Sequence, residues 1–486
     1  MMHKRHQRIG WAAAILVAGS MAFISCKVTR DYSRPQFDIP TAFKVPDSVT
    51  RAADSAITDW AAFFQDSTLV TLLDSAIAHN FDLQDAMKHM AIADQYYKQA
   101  KAAYLPSINL NLLGITKEYR SKNYYSNPSS GWYDDRGKNP PKTLYLLQSQ
   151  FTNSVDMQWE LDIWGKIKRQ KEEANAKYLE TREAQKAVQT ALISDVAQSY
   201  YLLQMLHEQL EIARTNLKLR SNTLKMIELQ YKSGFVTALA VQQTKSQVLE
   251  ASALIPQLEK EIGIQENGLR LLVGSLTLPM PQDSELSAVD PGNEVTDLPL
   301  YAVLNRPDVR ASEFELIAAN AEVGVTQAYR FPNISIDISG GVNSMLPENW
   351  FNIPGSLFGG IVGGITQPLL HQRKLKTDYE VAKLARDQSE IAFQKTVYTA
   401  ITEIRNARIS IHKIQEQLVI AQQQVDLAQK AVHSAAMLFR AGFATYLEVI
   451  TAQGHELDSE LELASLRADL LTARVQLYRA LGGGWH

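Results

Sequence analysis

The sequence predicts a mixed α and β chain built by internal duplication, each copy joining two β-strands to two very long helices. Three observations predict it. The first is the duplication. Tyr231-Lys-Ser-Gly-Phe-Val-Thr237 returns as Phe439-Arg-Ala-Gly-Phe-Ala-Thr445, and Leu269-Arg-Leu-Leu-Val-Gly274 returns as Leu477-Tyr-Arg-Ala-Leu-Gly482, both 208 residues on. Ala103-Tyr-Leu-Pro-Ser-Ile108 returns as Tyr329-Arg-Phe-Pro-Asn-Ile334, with the prolines 226 apart. Two copies of so long a unit do not make a short-repeat solenoid. The second observation is period-two alternation at four places, and the third is a sustained 3.5-residue apolar period over stretches almost free of Gly and Pro.

The strands come first in each copy. Ile108, Leu110 and Leu112 alternate with Ser107, Asn109 and Asn111; Val155, Met157, Trp159 and Leu161 alternate with Asp156, Gln158, Glu160 and Asp162. Ile334, Ile336 and Ile338 alternate with Ser335, Asp337 and Ser339, and Gly-rich Leu357 to Gln367 is a weaker fourth segment. One apolar row opposite a row holding Asp156, Glu160, Asp162 and Asp337 suits a barrel with lipid outside and a watery lumen. A half-buried antiparallel sheet in a soluble domain shows the same alternation. Four strands cannot close a barrel, which needs about eight, so a barrel reading requires several chains, and three would supply about twelve strands. Lys117 to Thr143, rich in Tyr, Ser, Asn, Gly and Pro, reads as a long loop that accounts for the extra length of the first copy.

The helices follow. Val397, Ala400, Ile404, Ala407, Ile411, Ile414, Leu418, Ala421, Val425, Ala428, Val432, Ala435 and Phe439 step by three and four, as do Leu192, Val196, Ser199, Leu203, Leu206, Leu210, Ala213 and Leu217. That is a coiled-coil seam. A helix over 166–231 would run about 100 Å at 1.5 Å per residue. Gly234 and Gly442 are the expected left-handed stops, and Thr237 and Thr445 the caps of the returning helices. Turn chemistry explains Gly and Thr but leaves Phe235 and Phe443 unexplained, and these point to contact surfaces at two hairpin tips.

Composition narrows the class. The chain has 486 residues, is 45% hydrophobic and 21% charged, and carries a net charge of −3, so it is an ordered protein with no electrostatic footprint for nucleic acid. A basic start (His3, Lys4, Arg5, His6, Arg8) precedes an uncharged run over residues 9–25, which reads as a secretory signal. The sole cysteine, Cys26, follows at once, so no intrachain disulfide can form. Phe23-Ile-Ser-Cys26 resembles a bacterial lipoprotein cleavage box, with Phe23 where Leu is usual; Lys27 after the cysteine resembles the outer-membrane sorting pattern. Removing residues 1–25 leaves 46 Lys and Arg against 52 Asp and Glu, a charge of −6. No later uncharged run is long enough for a transmembrane helix, so any crossing is by strands. The export signal and lipid box favour the barrel. No HExxH, GxSxG or P-loop is present, the ten His share no metal spacing, and no enzyme or cofactor is expected beyond covalent lipid on Cys26.

Short motifs now line up in order: Asp31-Tyr-Ser-Arg-Pro35, Trp60 to Phe64, Asn80-Phe-Asp-Leu83, Asn305-Arg-Pro-Asp-Val309, Ala318-Ala-Asn-Ala321, Phe331-Pro-Asn-Ile334 and Ala480-Leu-Gly-Gly-Gly-Trp485. Together they resemble the TolC-like outer-membrane efflux factors, in their lipoprotein branch. The resemblance implies a homotrimer with one shared transmembrane β-barrel, four strands per chain, above a long periplasmic helical barrel. It implies a channel of a tripartite efflux system, anchored in outer-membrane lipid, whose tips meet a periplasmic membrane-fusion adaptor coupled to an inner-membrane pump of the resistance–nodulation–division type. A channel for type I protein secretion and a periplasmic coiled-coil adaptor or scaffold are the alternatives. The implied organisation is a signal peptide over 1–25, a lipidated extended segment over 26–59, helices over 60–103, strands over 104–163 and the first long hairpin over 164–274. An equatorial region follows over 275–299, then helices over 300–329, strands over 330–369, and the second hairpin with its tail over 370–486. By resemblance Glu448 rings the periplasmic aperture, where three copies would favour cations. Phe439 stands at an aromatic gate position and Arg440 beside it. Thr451 and Ala240 occupy positions that are often acidic in the family, so a gate latched by an acid at residue 240 is not expected.

Overall fold

A computed structural model describes residues 31–35, 60–64, 66–121, 145–281 and 300–484. The signal segment and Cys26 lie outside the described residues. The elements are α1 (Trp60–Phe64), α2 (Ser67–His79), α3 (Phe81–Ala102), β1 (Ser107–Ser121), β2 (Tyr145–Glu160), α4 (Lys166–Lys232) and α5 (Ala238–Val273). They continue with α6 (Leu300–Asn305), α7 (Pro307–Ala328), β3 (Asn333–Ser344), β4 (Leu357–Thr366), α8 (Lys374–Arg440) and α9 (Tyr446–Ala480). Helices α4 and α8 each have 67 residues and begin 374 − 166 = 208 apart; α5 and α9 begin at the same offset, 446 − 238 = 208. The duplication is therefore structural as well as textual. Among the described residues no helix is long and apolar enough to cross a membrane.

The chain divides into two units. Of the described residues, one unit comprises 31–33, 94–121, 145–176 and 317–387; the other comprises 34–35, 60–64, 66–93, 177–281, 300–316 and 388–484. The first unit holds the sheet, antiparallel in the order β1-β2-β3-β4, so β1 and β4 are open edges. β1 extends to Ser121, so residues 117–121, expected in the loop, belong to the strand. Between Asn111↔Ser154 and Gly114↔Thr152, Leu112 and Leu113 stand opposite Asn153 alone, a β-bulge. Gly341 is required where β2 and β3 meet, because a Cβ there would lie 1.9 Å from the Asn153 carbonyl oxygen.

In the second unit most positions of the predicted seams are buried and the rest half-buried. Leu192, Val196, Leu203, Leu206, Leu210 and Ala213 of α4 pack with Leu69, Leu73 and Ala76 of α2, with Leu258 and Leu269 of α5, and with Leu471, Val475 and Tyr478 of α9. Further along, Ala421 and Val425 of α8 pack on Leu463 and Leu466 of α9. α5 continues through Pro256. Buried Arg306 fixes the chain end, donating to the Ala480 carbonyl at 2.9 Å and to the carboxylates of Asp308 and Glu403 at 2.7 Å each.

Candidate functional site

Two regions carry functional character, one in each unit. In the sheet, the register aligns residues of like polarity into rows. Asn109, Asp156 and Ser339 are successive cross-strand partners, as are Ser107, Gln158 and Asp337, and Glu160 pairs with Ser335. The alternate row runs Ile108, Met157, Ile338 and Ile361. Successive strand residues point to opposite faces, so across β1, β2 and β3 one of these rows is polar and the other apolar, while on β4 the polar row ends in Gly360 and Val362. The apolar face is open to its surroundings, with Ile361 76% exposed and Ile108, Leu110, Val155 and Ile365 also exposed. An exposed apolar sheet face marks a surface for contact with protein or lipid, and its unpaired edges are templates for further strands.

The four carboxylates expected on the polar face separate into different roles. Asp156 accepts hydrogen bonds from Asn111 and from the Ser154 hydroxyl, the latter at 2.9 Å. Asp337 accepts from the Ser335 hydroxyl at 3.3 Å. Glu160 forms an ion pair with Lys166 at the end of β2. Asp162 is a correction. β2 ends at Glu160, and the Asp162 carboxylate accepts from the amides of Ile167 and Lys168 at 2.9 Å each, capping α4. Those amides are orphan donors at a helix start, which is why an acid two residues past a strand serves the helix and not the sheet face.

The two hairpin tips lie in the second unit. Gly234 has φ 77° and Gly442 φ 81°. The amides of Phe235 and Phe443 close back on the carbonyls of Gln230 and Leu438 at 2.9 Å, the Schellman pattern that ends a helix. Thr237 then accepts from the Ala240 amide at 3.4 Å, and Thr445 accepts from the Leu447 amide at 3.3 Å. This geometry pushes the side chain after each glycine outward, leaving Phe235 82% and Phe443 83% exposed. Ile227, Ala240, Phe439 and Val449 form a small core beneath, one residue from each of the four helices. An open groove of about 800 Å³ runs between the tips, lined by Phe235, Arg440, Thr445 and Tyr446 among others. The Tyr446 hydroxyl donates to Gln243, tying one hairpin to the other.

Two expected aperture residues look different in this setting. Phe439 is only 6% exposed: its ring fills the tip core and reaches the groove between the tips only at its edge. The reason is the seam itself: residue 439 continues the 3.5-residue series that faces neighbouring helices. Glu448 is exposed and is the third residue of α9, where it completes a capping box by accepting from the Thr445 amide at 2.9 Å. The Thr445 hydroxyl, and then backbone amides, hold its carboxyl below the usual carboxylate range. Arg440 is exposed at the last position of α8, favourable against the helix dipole.

Sequence reasoning missed a buried polar layer above the tips. The Gln453 side chain donates to the Thr223 hydroxyl at 2.9 Å, Asn216 donates to the Gln453 carbonyl at 3.3 Å, and Arg220 donates to the Gln247 carbonyl at 3.2 Å. Its signal was available, since Arg220 falls one seam step after Leu217.

A profile of the family described as outer membrane efflux protein matches residues 72–275 and 298–483. The solvent efflux pump outer membrane protein SrpC of Pseudomonas putida is 30% identical over 466 residues, covering 95% of this chain and 96% of that protein. The cation efflux system protein CusC of Escherichia coli (strain K12) is 26% identical over 468 residues, covering 96% and 98%. A crystal structure of CusC superposes with a TM-score of 0.81 at 25% identity, covering 94% of this chain and all of that one. The probable outer membrane lipoprotein SilC of Salmonella typhimurium is 27% identical over 459 residues, covering 94% and 95%.

Proposed function

The chain belongs to the outer membrane efflux protein family, and from that premise we propose that three copies assemble into one passive conduit with an adaptor-docking ring at its hairpin tips. The family fixes the coarse function: an outer-membrane channel of a tripartite efflux system, whose members are channels and not enzymes. The observation that carries the finer reading is the open four-stranded sheet with an exposed apolar face. Edges β1 and β4 are left for neighbouring copies, the apolar rows face lipid, and the rows of Asp156, Gln158 and Asp337 face the lumen. The tips support the partner assignment. Phe235 and Phe443 stand out from rigid turns beside the groove, as anchors for a periplasmic adaptor coupled to an inner-membrane pump of the resistance–nodulation–division type. Cys26 carries the lipid, and no resident cofactor is needed. Glu448 contributes negative charge near the aperture while holding its cap.

The relatives' names divide between solvent efflux and cation efflux, so the cargo is the open variable. The test is a susceptibility panel on a deletion strain spanning apolar solvents, dyes, bile salts, antibiotics and metal ions. Hypersensitivity to one class, restored by the wild-type gene but not by the double variant Phe235→Ser/Phe443→Ser, supports both the conduit and its docking tips. A flat panel counts against efflux of small molecules and favours protein secretion.

A further inference from the structure

The internal duplication offers a comparison inside one molecule, at the turns leading from each strand pair into its long helix. In the first copy this start is self-sufficient: the Glu160 carboxylate pairs with Lys166, Asp162 caps the first amides of α4, and Gly165 takes the left-handed backbone at φ 76°. Stepping on by 208, the positions are Pro368, Leu370 and Arg373. The second copy thus lacks both carboxylates. It also holds two non-glycine residues in the left-handed region, Gln372 at φ 49° and Arg373 at φ 64°. Such backbone favours glycine, as the first copy demonstrates, and persists in other residues where a side chain is needed.

The side chains at this turn share one chemistry. Leu369 is 87% exposed and Leu370 99%. They follow β4, whose Ile361 and Ile365 belong to the exposed apolar row. His371, Arg373, Lys374 and Lys376 come next, with no acid before Asp378, which pairs with Lys374 at 2.6 Å. Arg330 joins them: its carbonyl accepts from Gln367 at 3.2 Å, and its guanidinium lies 5.1 Å from the centre of the Tyr379 ring. The first turn of α8 contains no acid, so its cations sit against the positive end of the helix dipole, with Asp378 one turn on offsetting Lys374. Exposed leucines beside a basic helix start form a surface for a bilayer interface with phosphate at its headgroup level.

We propose that the β4–α8 turn is an interfacial anchor that binds anionic phospholipid, with Leu369 and Leu370 at the acyl boundary and Arg373, Lys376 and Arg330 on headgroup phosphates. This rests on the barrel reading, because the turn continues that lipid-facing row.

The test uses the full chain reconstituted in vesicles of phosphatidylethanolamine with or without phosphatidylglycerol. Anionic lipid raises the melting temperature of the wild type. Arg373→Gly, which restores the first copy's turn residue, melts no lower without phosphatidylglycerol but loses most of that rise. An equal rise in both proteins overturns the anchor. A fluorophore at Leu370→Cys is quenched by a headgroup-depth lipid quencher, and one at Ile361→Cys by a deep acyl-chain quencher. Quenching at Ile361 alone overturns the anchor and leaves the barrel standing, the more so if Leu370→Cys cross-links to a second copy. Quenching at neither position overturns the barrel reading itself.

Discussion

Glu448 holds one carboxylate in two settings, a local cap and the charge of an aperture. Gln serves the cap as well as Glu does, so Glu448→Gln removes charge while leaving the capping box in place. Planar-bilayer recordings should show a reversal potential shifted toward lower cation preference; an unchanged value removes Glu448 from the filter. Because its carboxyl titrates below the ordinary range, its contribution to the cap is fully present at neutral pH and is lost as pH falls through that depressed value. A site-specific carbon-13 label should titrate below an unperturbed glutamate in the wild type and move up in Thr445→Ala, whose leading hydrogen bond is gone. Phe439→Ala tests the core role of that ring. Emptying a site this buried should cost about 3–5 kcal/mol, read as a lower melting temperature. A gate-lining aromatic would instead change conductance at unaltered stability.

Elements obey the constraints of their partners more than their own propensities. β2 and β3 approach so closely at Gly341 that Ala there forces the Asn153 carbonyl away and breaks their pairing. Gly341→Ala should therefore fail to give folded channel in outer-membrane preparations, whereas Gly360→Ala, whose Cβ meets nothing nearer than 3.6 Å, should be tolerated. At the tips the limit is backbone conformation alone. Nothing lies within 4 Å of a Cβ at Gly234 or Gly442, so Ala at either should cost only the left-handed penalty of about 1–2 kcal/mol. The long seams show the complementary case. Their period is legible in the residues because a coiled coil repeats one contact many times, and the buried positions fall where the period places them.

At the scale of the whole molecule, an unclosed sheet implies neighbours. Unheated electrophoresis of outer-membrane extracts should show a trimer that heating converts to monomer, with Cys26→Ala still requiring detergent because strands, not lipid, supply the main anchorage. A Cys26→Ala protein that is monomeric and soluble without detergent would remove the barrel from consideration. Mass spectrometry of the mature N-terminus should find acyl chains on the wild type and none on that variant.

The sequence by itself determined the duplication, the two long hairpins, the four strands, the outward phenylalanines and the family. These follow from periodicity, turn chemistry and ordered motifs, which are local or repeated. Only tertiary structure decided which side chains are spent on neighbours. Asp162 alternates with the strand residues yet caps a helix, because the strand stops two residues earlier. Phe439 occupies a gate-like position yet fills a core, because three other helices converge on it. Gln372 and Arg373 fall in the stretch assigned to the second hairpin, and only their backbone angles expose a left-handed turn without glycine. Periodicity specifies a face. What that face meets depends on atoms far away in the chain, and their arrival is a property of the fold.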